Sequence, residues 1–293
     1  MKRRKFIQGS SLLAVSIGVF GKIKWNGEKY VGTDPTTTDI LGPFYRPGAP
    51  FKTDLIQPGT KGQTLYFNGT VYDKSGKVVK DAVVEIWHCN ENGEYDNTSD
   101  AYVYRASSKT AADGKYHFKT ILPVPYTVSE TLTRPAHIHM RISHNSSQDL
   151  VTQVYFKGDK NISGDPSSSD PKSLSRILDM AQNAKGEITV KFDVHLGDEY
   201  VLEPSVFKKI EGLYEMSDKS MVEYYKDGDQ LFVKLNGQII EAMDYKGNNS
   251  FEGGLGQSKV QFELLANGGA KIKVSILDNK KWIELTGNKL LKY

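Results

Sequence analysis

Cysteine is nearly missing from this chain. Cys89 stands alone among 293 residues, which excludes an internal disulfide and any cysteine-built metal cluster. It lies between Trp87 and Asn90, at the end of an apolar run, and reads as a small buried hydrophobe. A surplus of either charge is missing too: Lys+Arg 38 against Asp+Glu 35 leave a net charge of +3. That is too little to imply a nucleic-acid partner, and the basic residues are scattered except at the start. The apolar stretch near the start, Ser11 to Phe20, falls well short of the ~20 residues a membrane span needs. Histidine is scarce, and none occurs beyond His195.

What is plentiful is glycine and aromatic residues. The chain has 27 Gly, 16 Tyr and 12 Phe among many short polar turns, the texture of a mostly β protein. Its length accommodates one large or two modest domains with a proper core.

The first residues, Met1-Lys2-Arg3-Arg4-Lys5-Phe6-Ile7-Gln8, put a positive region before the short apolar stretch, the order of a secretory signal. The Arg3-Arg4 pair followed by Lys5-Phe6-Ile7 resembles a twin-arginine signal. That resemblance implies export of an already folded protein to the periplasm or the outside; an ordinary secretion signal carrying two arginines is the alternative. Membrane contact is expected only through this segment. No small-x-small cleavage site stands out, and residues 1–26 are set aside as the export signal.

Residues 27–62 are rich in Gly, Pro and Thr without a sustained period, as in an extended segment laid against a domain. Strand patterns follow at Leu65–Tyr72 and Ala82–His88, then at Lys115–Phe118 after the Asp113-Gly114 turn. The clearest alternation sets Ile138, Met140 and Ile142 against His137, His139 and Arg141, and recurs from Ile188 to Leu196. Between these, Leu174, Ile177, Leu178 and Ala181 fall at helical spacing and predict a helix over Ser173–Ala184. The fold expected is an antiparallel β-sandwich over residues 27–206. A second, smaller β-domain with no assigned chemistry is expected over 207–293, where strands such as Gln230–Leu235 and Val260–Leu264 alternate with Gly, Asp and Asn turns.

His137-Ile138-His139 is the first chemical signal. On a strand, i and i+2 share a face about 7 Å apart at the backbone, so two imidazoles can converge on one ion while Ile138 joins the core. Arg134-Pro135 precedes the pair, with the proline fixing an extended entry. Upstream, Pro123-Val124-Pro125-Tyr126 and Asn92-Gly93-Glu94-Tyr95 each place a tyrosine beside turn residues, where loops carry function. His88, His117, His144 and His195 read as structural or surface positions.

Together, several strings resemble the intradiol ring-cleavage dioxygenases over roughly residues 35–200. They are Leu41-Gly42-Pro43-Phe44-Tyr45, Val84-Glu85-Ile86-Trp87, Gly93-Glu94-Tyr95, Asp113-Gly114-Lys115-Tyr116 and Arg134-Pro135-Ala136-His137-Ile138-His139. The resemblance implies a non-haem Fe(III) held by Tyr95, Tyr126, His137 and His139, with Tyr102 and Tyr104 as alternatives to Tyr95. It implies a small aromatic diol and O2 as substrates, and ring opening between the hydroxyl-bearing carbons to a muconate-type dicarboxylate. Arg134 would stabilise charge developing on the ring, and Gln153 matches a glutamine near the family's iron. The donor set suits the metal independently: ferric iron is a hard acid that prefers anionic oxygen with imidazole as partner. Phenol holds its proton to a pKa of about 10 in water, and a bound cation can remove it. The rival readings are a non-catalytic transthyretin-like or carbohydrate-binding module, and a zinc or copper site at the histidine pair. The short irregular segment before the first strand, in place of the helical region of the catechol enzymes, leaves the oligomeric state open.

Overall fold

The computed structural model describes residues 35–144, 147–197, 202–278 and 280–291, preceded by two short paired strands at Lys24–Trp25 and Tyr30–Val31. The export signal expected over residues 1–26 lies outside the described residues, apart from Lys24–Trp25. Among the described residues no helix is long and apolar enough to cross a membrane.

Two sheets pack face to face. The first runs Ile177–Leu178, Ser147–Phe156, His137–His144, Val83–Trp87, Arg105–Lys109 in spatial order. The second is centred on Thr64–Tyr72, with Lys115–Ile121 on one side and Ile188–Lys191 and Val194–His195 on the other. Most pairings are antiparallel, but both short strands after residue 187 run parallel to Thr64–Tyr72, as Ile177–Leu178 does to Tyr155–Phe156. Leu65, Phe67, Val84, Ile86, Phe118, Ile138, Met140, Ile142 and Val154 fill the space between the sheets. Each such side chain contributes about 1.5–3 kcal/mol on burial.

The helix expected over Ser173–Ala184 does not form. Pro171–Arg176 is a short 3-10 turn, and Ile177–Leu178 and Ala181–Gln182 are strands at sheet edges. The spacing misassigned the faces: Leu174 is 70% exposed, whereas Ser173 and Arg176 are buried. Edge pairing and the buried Arg176 outweigh the local periodicity. His144 ends the His137–His144 strand and is half-buried. Cys89 is buried, as expected.

Register arranges the outer face of the first sheet in rows. Tyr155 lies opposite His137; Gln153, His139, Trp87 and Arg105 form the next row, and Val151, Arg141, Glu85 and Ser107 the one after. This face is buried too, since residues 35–55 lie across the fold. Asp39 N donates to Val151 O, Lys52 N to Ser107 O and Leu55 N to Lys119 O.

The rest of the cover is a closed eight-stranded antiparallel barrel. Its strands are Gly212–Met216, Met221–Asp227, Gln230–Leu235, Gln238–Gly247, Ser250–Glu252, Ser258–Leu264, Ala270–Asp278 and Lys281–Lys289, the last pairing with the first. Side chains fill its interior, and Phe207 and Ile210 of the short Pro204–Ile210 helix join that core. Alternation along Gln230–Leu235 sends Leu231 and Val233 inward and Phe232 outward against the sandwich. There Phe232, Ile239 and Ala242 pack with Leu41, Tyr45, Trp87 and Val151.

Gly69 marks the tightest point of the second sheet. A Cβ there would fall 1.7 Å from the Phe192 carbonyl oxygen, which accepts a hydrogen bond from Tyr116 Oη at 2.7 Å. Gly69→Ala should therefore cost about 3 kcal/mol or more, read as a lower midpoint in denaturant unfolding.

Candidate metal centre

The strand His137–His144 aims both imidazoles at the covered outer face, with ring centroids 4.9 Å apart at 72°. His137 Nδ1 lies 2.6 Å from the Pro135 carbonyl oxygen. A carbonyl only accepts, so Nδ1 carries the proton and Nε2 presents its lone pair to the site. Tyr95 Oη is 3.2 Å from that Nε2. Tyr126 completes the group, its ring 5.5 Å from that of His137 and 5.7 Å from that of Tyr95.

The other tyrosines weighed as the first ligand stand elsewhere. Tyr102 hydrogen-bonds the Pro47 carbonyl beneath the Arg46 guanidinium, and Tyr104 is in the sandwich core, stacked on His88. Phe44 covers the tyrosine pair, stacked on Tyr95 at 4.3 Å and edge-on to Tyr126 at 6.3 Å.

Local structure brings these groups together. Tyr126 opens a hairpin whose return strand ends at Arg134, its direct cross-strand partner. Asp159 accepts from the Ala136 amide and fixes the chain as it enters the histidine strand. Arg105 donates from Nε to the Asp96 carbonyl and from Nη2 to Asn97 Oδ1, pinning the turn just after Tyr95.

Arg134 is buried beside the donors. Its Nε donates to Asp165 Oδ2 at 2.9 Å and its Nη2 to Gln153 Oε1 at 3.0 Å, while Nη1 reaches His137 Nε2 at 3.4 Å. Burial opposes its charge, but the Asp165 carboxylate outweighs burial and raises its proton affinity, so the guanidinium stays charged. Gln153 is engaged at both ends: its Nε2 donates to the Ile40 carbonyl at 2.6 Å, and its Oε1 accepts from Arg134. It therefore acts on the site through Arg134. Behind it, Arg176 pairs with Asp39, which accepts from Tyr155 Oη at 2.8 Å.

The protonation pattern follows from burial. Burial, reinforced by Arg134, depresses His137 to about 3, and burial together with His137 holds His139 well below its usual range. Both imidazoles are thus neutral near pH 7, the form that binds metal. Burial, with the neighbouring Tyr126, raises Tyr95 well above an ordinary phenol, and burial raises Tyr126 against the opposing pull of Arg134. The two phenols keep their protons unless a cation takes their place.

One feature tests whether these residues suit a metal. Both ring nitrogens of His139 are buried with no hydrogen-bond partner. A buried polar atom without a partner costs about 1–3 kcal/mol, and an ion bound by His139 would remove that cost on one nitrogen. Among the described residues no three His, Cys, Asp or Glu side chains converge as a metal set. A zinc-type set of histidines with a carboxylate is therefore not assembled; two phenols and two imidazoles are, and they fit ferric iron. The sequence did not point to Asp165 or to the Asp39–Arg176 pair. Tyr155 carried a signal, lying two residues beyond Gln153 on the same strand face.

A family model described as Dioxygenase matches residues 40–198, more than half of the chain. The 6-chlorohydroxyquinol 1,2-dioxygenase of Cupriavidus pinatubonensis is 32% identical over 224 residues, covering 70% of this chain and 76% of the relative. The chlorocatechol 1,2-dioxygenase of Rhodococcus opacus is 34% identical over 162 residues, 47% of this chain and 63% of the relative. Matches to two catechol 1,2-dioxygenases cover 52% and 56% of their lengths, so the chain spans less than two thirds of these catechol and chlorocatechol relatives. Among solved structures, catechol 1,2-dioxygenase from Pseudomonas arvilla superposes with a TM-score of 0.51 at 25% identity, over 58% of this chain and 64% of that one. The family match spans both sheets and the tyrosine–histidine cluster between them and their cover, and on it the chain belongs to the intradiol ring-cleavage dioxygenase family.

Proposed function

We propose that this protein is a non-haem ferric dioxygenase that opens a catechol-type ring between its two hydroxyl-bearing carbons, using O2. The observation that carries the reading is the convergence of Tyr95, Tyr126, His137 and His139, with both His139 nitrogens buried and unpartnered. These four side chains would hold the iron. When bound, the ferric ion would supply the acidic centre that takes up the diol oxygens and primes the ring for O2.

The chain's own groups supply the rest. The phenol protons must leave as the cation enters, and the neutral imidazoles need lose nothing. Arg134 holds a fixed positive charge beside Tyr126 and His137, where it would stabilise negative charge developing on a bound ring. Asp165 and Gln153 orient its guanidinium by separate hydrogen bonds, so Gln153 is a positioning residue. Phe44 and the residues 35–55 cover the site and limit water. The arginine pair near the start supports an exported protein. Its substrate would be a small aromatic diol.

Two experiments test the reading. The chain loaded with ferric iron should show a broad visible band from iron-bound tyrosine that shifts on adding catechol or protocatechuate and yields muconate-type product in air. Tyr126→Phe should remove most of that band, and a colourless protein that retains no iron would contradict the reading. Arg134→Lys should keep the colour but lower kcat on the order of 100-fold, since lysine retains the charge and loses the forked contacts to Asp165 and Gln153.

A further inference from the structure

The two histidines of the site are held in different ways. His137 has the hydrogen bond that commonly orients a metal-binding imidazole, from Nδ1–H to the Pro135 carbonyl. His139 has none, and neither has Trp87 Nε1 beside it. Flat contact holds these rings: His139 stacks on Trp87 with centroids 5.0 Å apart and planes 7° from parallel. The backbone at Gly42, at φ +77°, also comes so close that a Cβ there would lie 3.1 Å from His139 Cε1.

A series of ring contacts continues away from the site. Trp87 meets Tyr45 at 5.0 Å with planes tilted by 59°, and Tyr45 lies parallel to Phe232 at 5.6 Å with planes 5° apart. Phe232 belongs to the barrel, and no part of it is exposed. A single guanidinium ties the same rings together from the side. Arg141 donates to Tyr45 Oη at 2.8 Å, lies 5.0 Å from the Phe232 ring centroid, and pairs with Asp149 and with the barrel's Asp227 at 2.7 and 2.9 Å. Arg141 is also two residues from His139 on the same strand face.

We propose that the barrel is part of the metal centre's scaffold, with Phe232 and Asp227 as positioning residues that set the His139 ring through Tyr45 and Trp87. This rests on the ferric-site reading above. It gives the barrel a function without chemistry of its own: Phe232 backs Tyr45 from the barrel side. Where a hydrogen bond would fix the torsion of the imidazole, a packed series of rings does so here.

The test uses the full chain loaded with ferric iron. Phe232→Leu keeps an apolar side chain but removes the flat ring, and Asp227→Asn removes the charge from a side chain that is 45% exposed, where loss of folding is not expected. Both variants should release iron to a chelator about tenfold faster than the wild type. Both should also broaden or split the ferric electron paramagnetic resonance signal, with circular dichroism unchanged. If Phe232→Leu does not fold, Asp227→Asn carries the test alone. Folded variants with the wild-type resonance signal and iron-release rate would overturn the positioning role while leaving the ferric site intact. A wild-type chain that binds no ferric iron would overturn both.

Discussion

One face of a single sheet is both polar and buried, and much of this molecule is built to make that tolerable. The face carries Glu85, His137, His139, Arg141, Gln153 and Tyr155, each at most 9% exposed. Water cannot satisfy them, so each polar atom needs a protein partner or carries a cost. Three buried arginines meet much of that demand, each paired with a carboxylate: Arg134 with Asp165, Arg141 with Asp149, and Arg176 with Asp39. Removing one partner from such a pair costs about 3–5 kcal/mol, because the other charge is left buried and alone. The site is therefore embedded in a network that resists piecemeal change.

Against that background the unpartnered nitrogens of His139 are an exception with a chemical meaning. The same burial that keeps the imidazoles neutral raises the phenols, so the pocket is arranged for neutral donors that can exchange protons for a cation. Placing Tyr95 on a turn, Tyr126 at the start of a hairpin and both histidines on one strand divides the work. The strand fixes the imidazole pair through register, and the turn and hairpin bring in the phenol oxygens. Each aromatic pair in the series behind His139 adds about 0.5–1.5 kcal/mol beyond simple burial, and it also adds direction.

Local patterns were legible in the sequence and distant pairings were not. His137 and His139 could be placed on one face because strand period is two and Ile138, Met140 and Ile142 mark the core side. The barrel strands around Gln230–Leu235 and Val260–Leu264 showed through their turns. Closure did not, because it joins Gly212–Met216 to Lys281–Lys289 across most of the domain. Asp165 and Asp39 were invisible for the same reason: their arginine partners lie 31 and 137 residues away. The segment after Pro171 misled outright, since its apolar spacing satisfied a helix while Arg176 is buried in a short 3-10 turn and the residues after it pair at sheet edges. The barrel, which carried no chemical signal of its own, gained meaning only once Phe232 was seen against Tyr45.

The central claim is that two phenols and two imidazoles on this chain form one ferric site. Crystals loaded with ferric iron and measured at the iron absorption edge would test it most directly. The account predicts a single anomalous peak bounded by Tyr95, Tyr126, His137 and His139. A loaded crystal with its peak elsewhere, or with none between those four side chains, would contradict it.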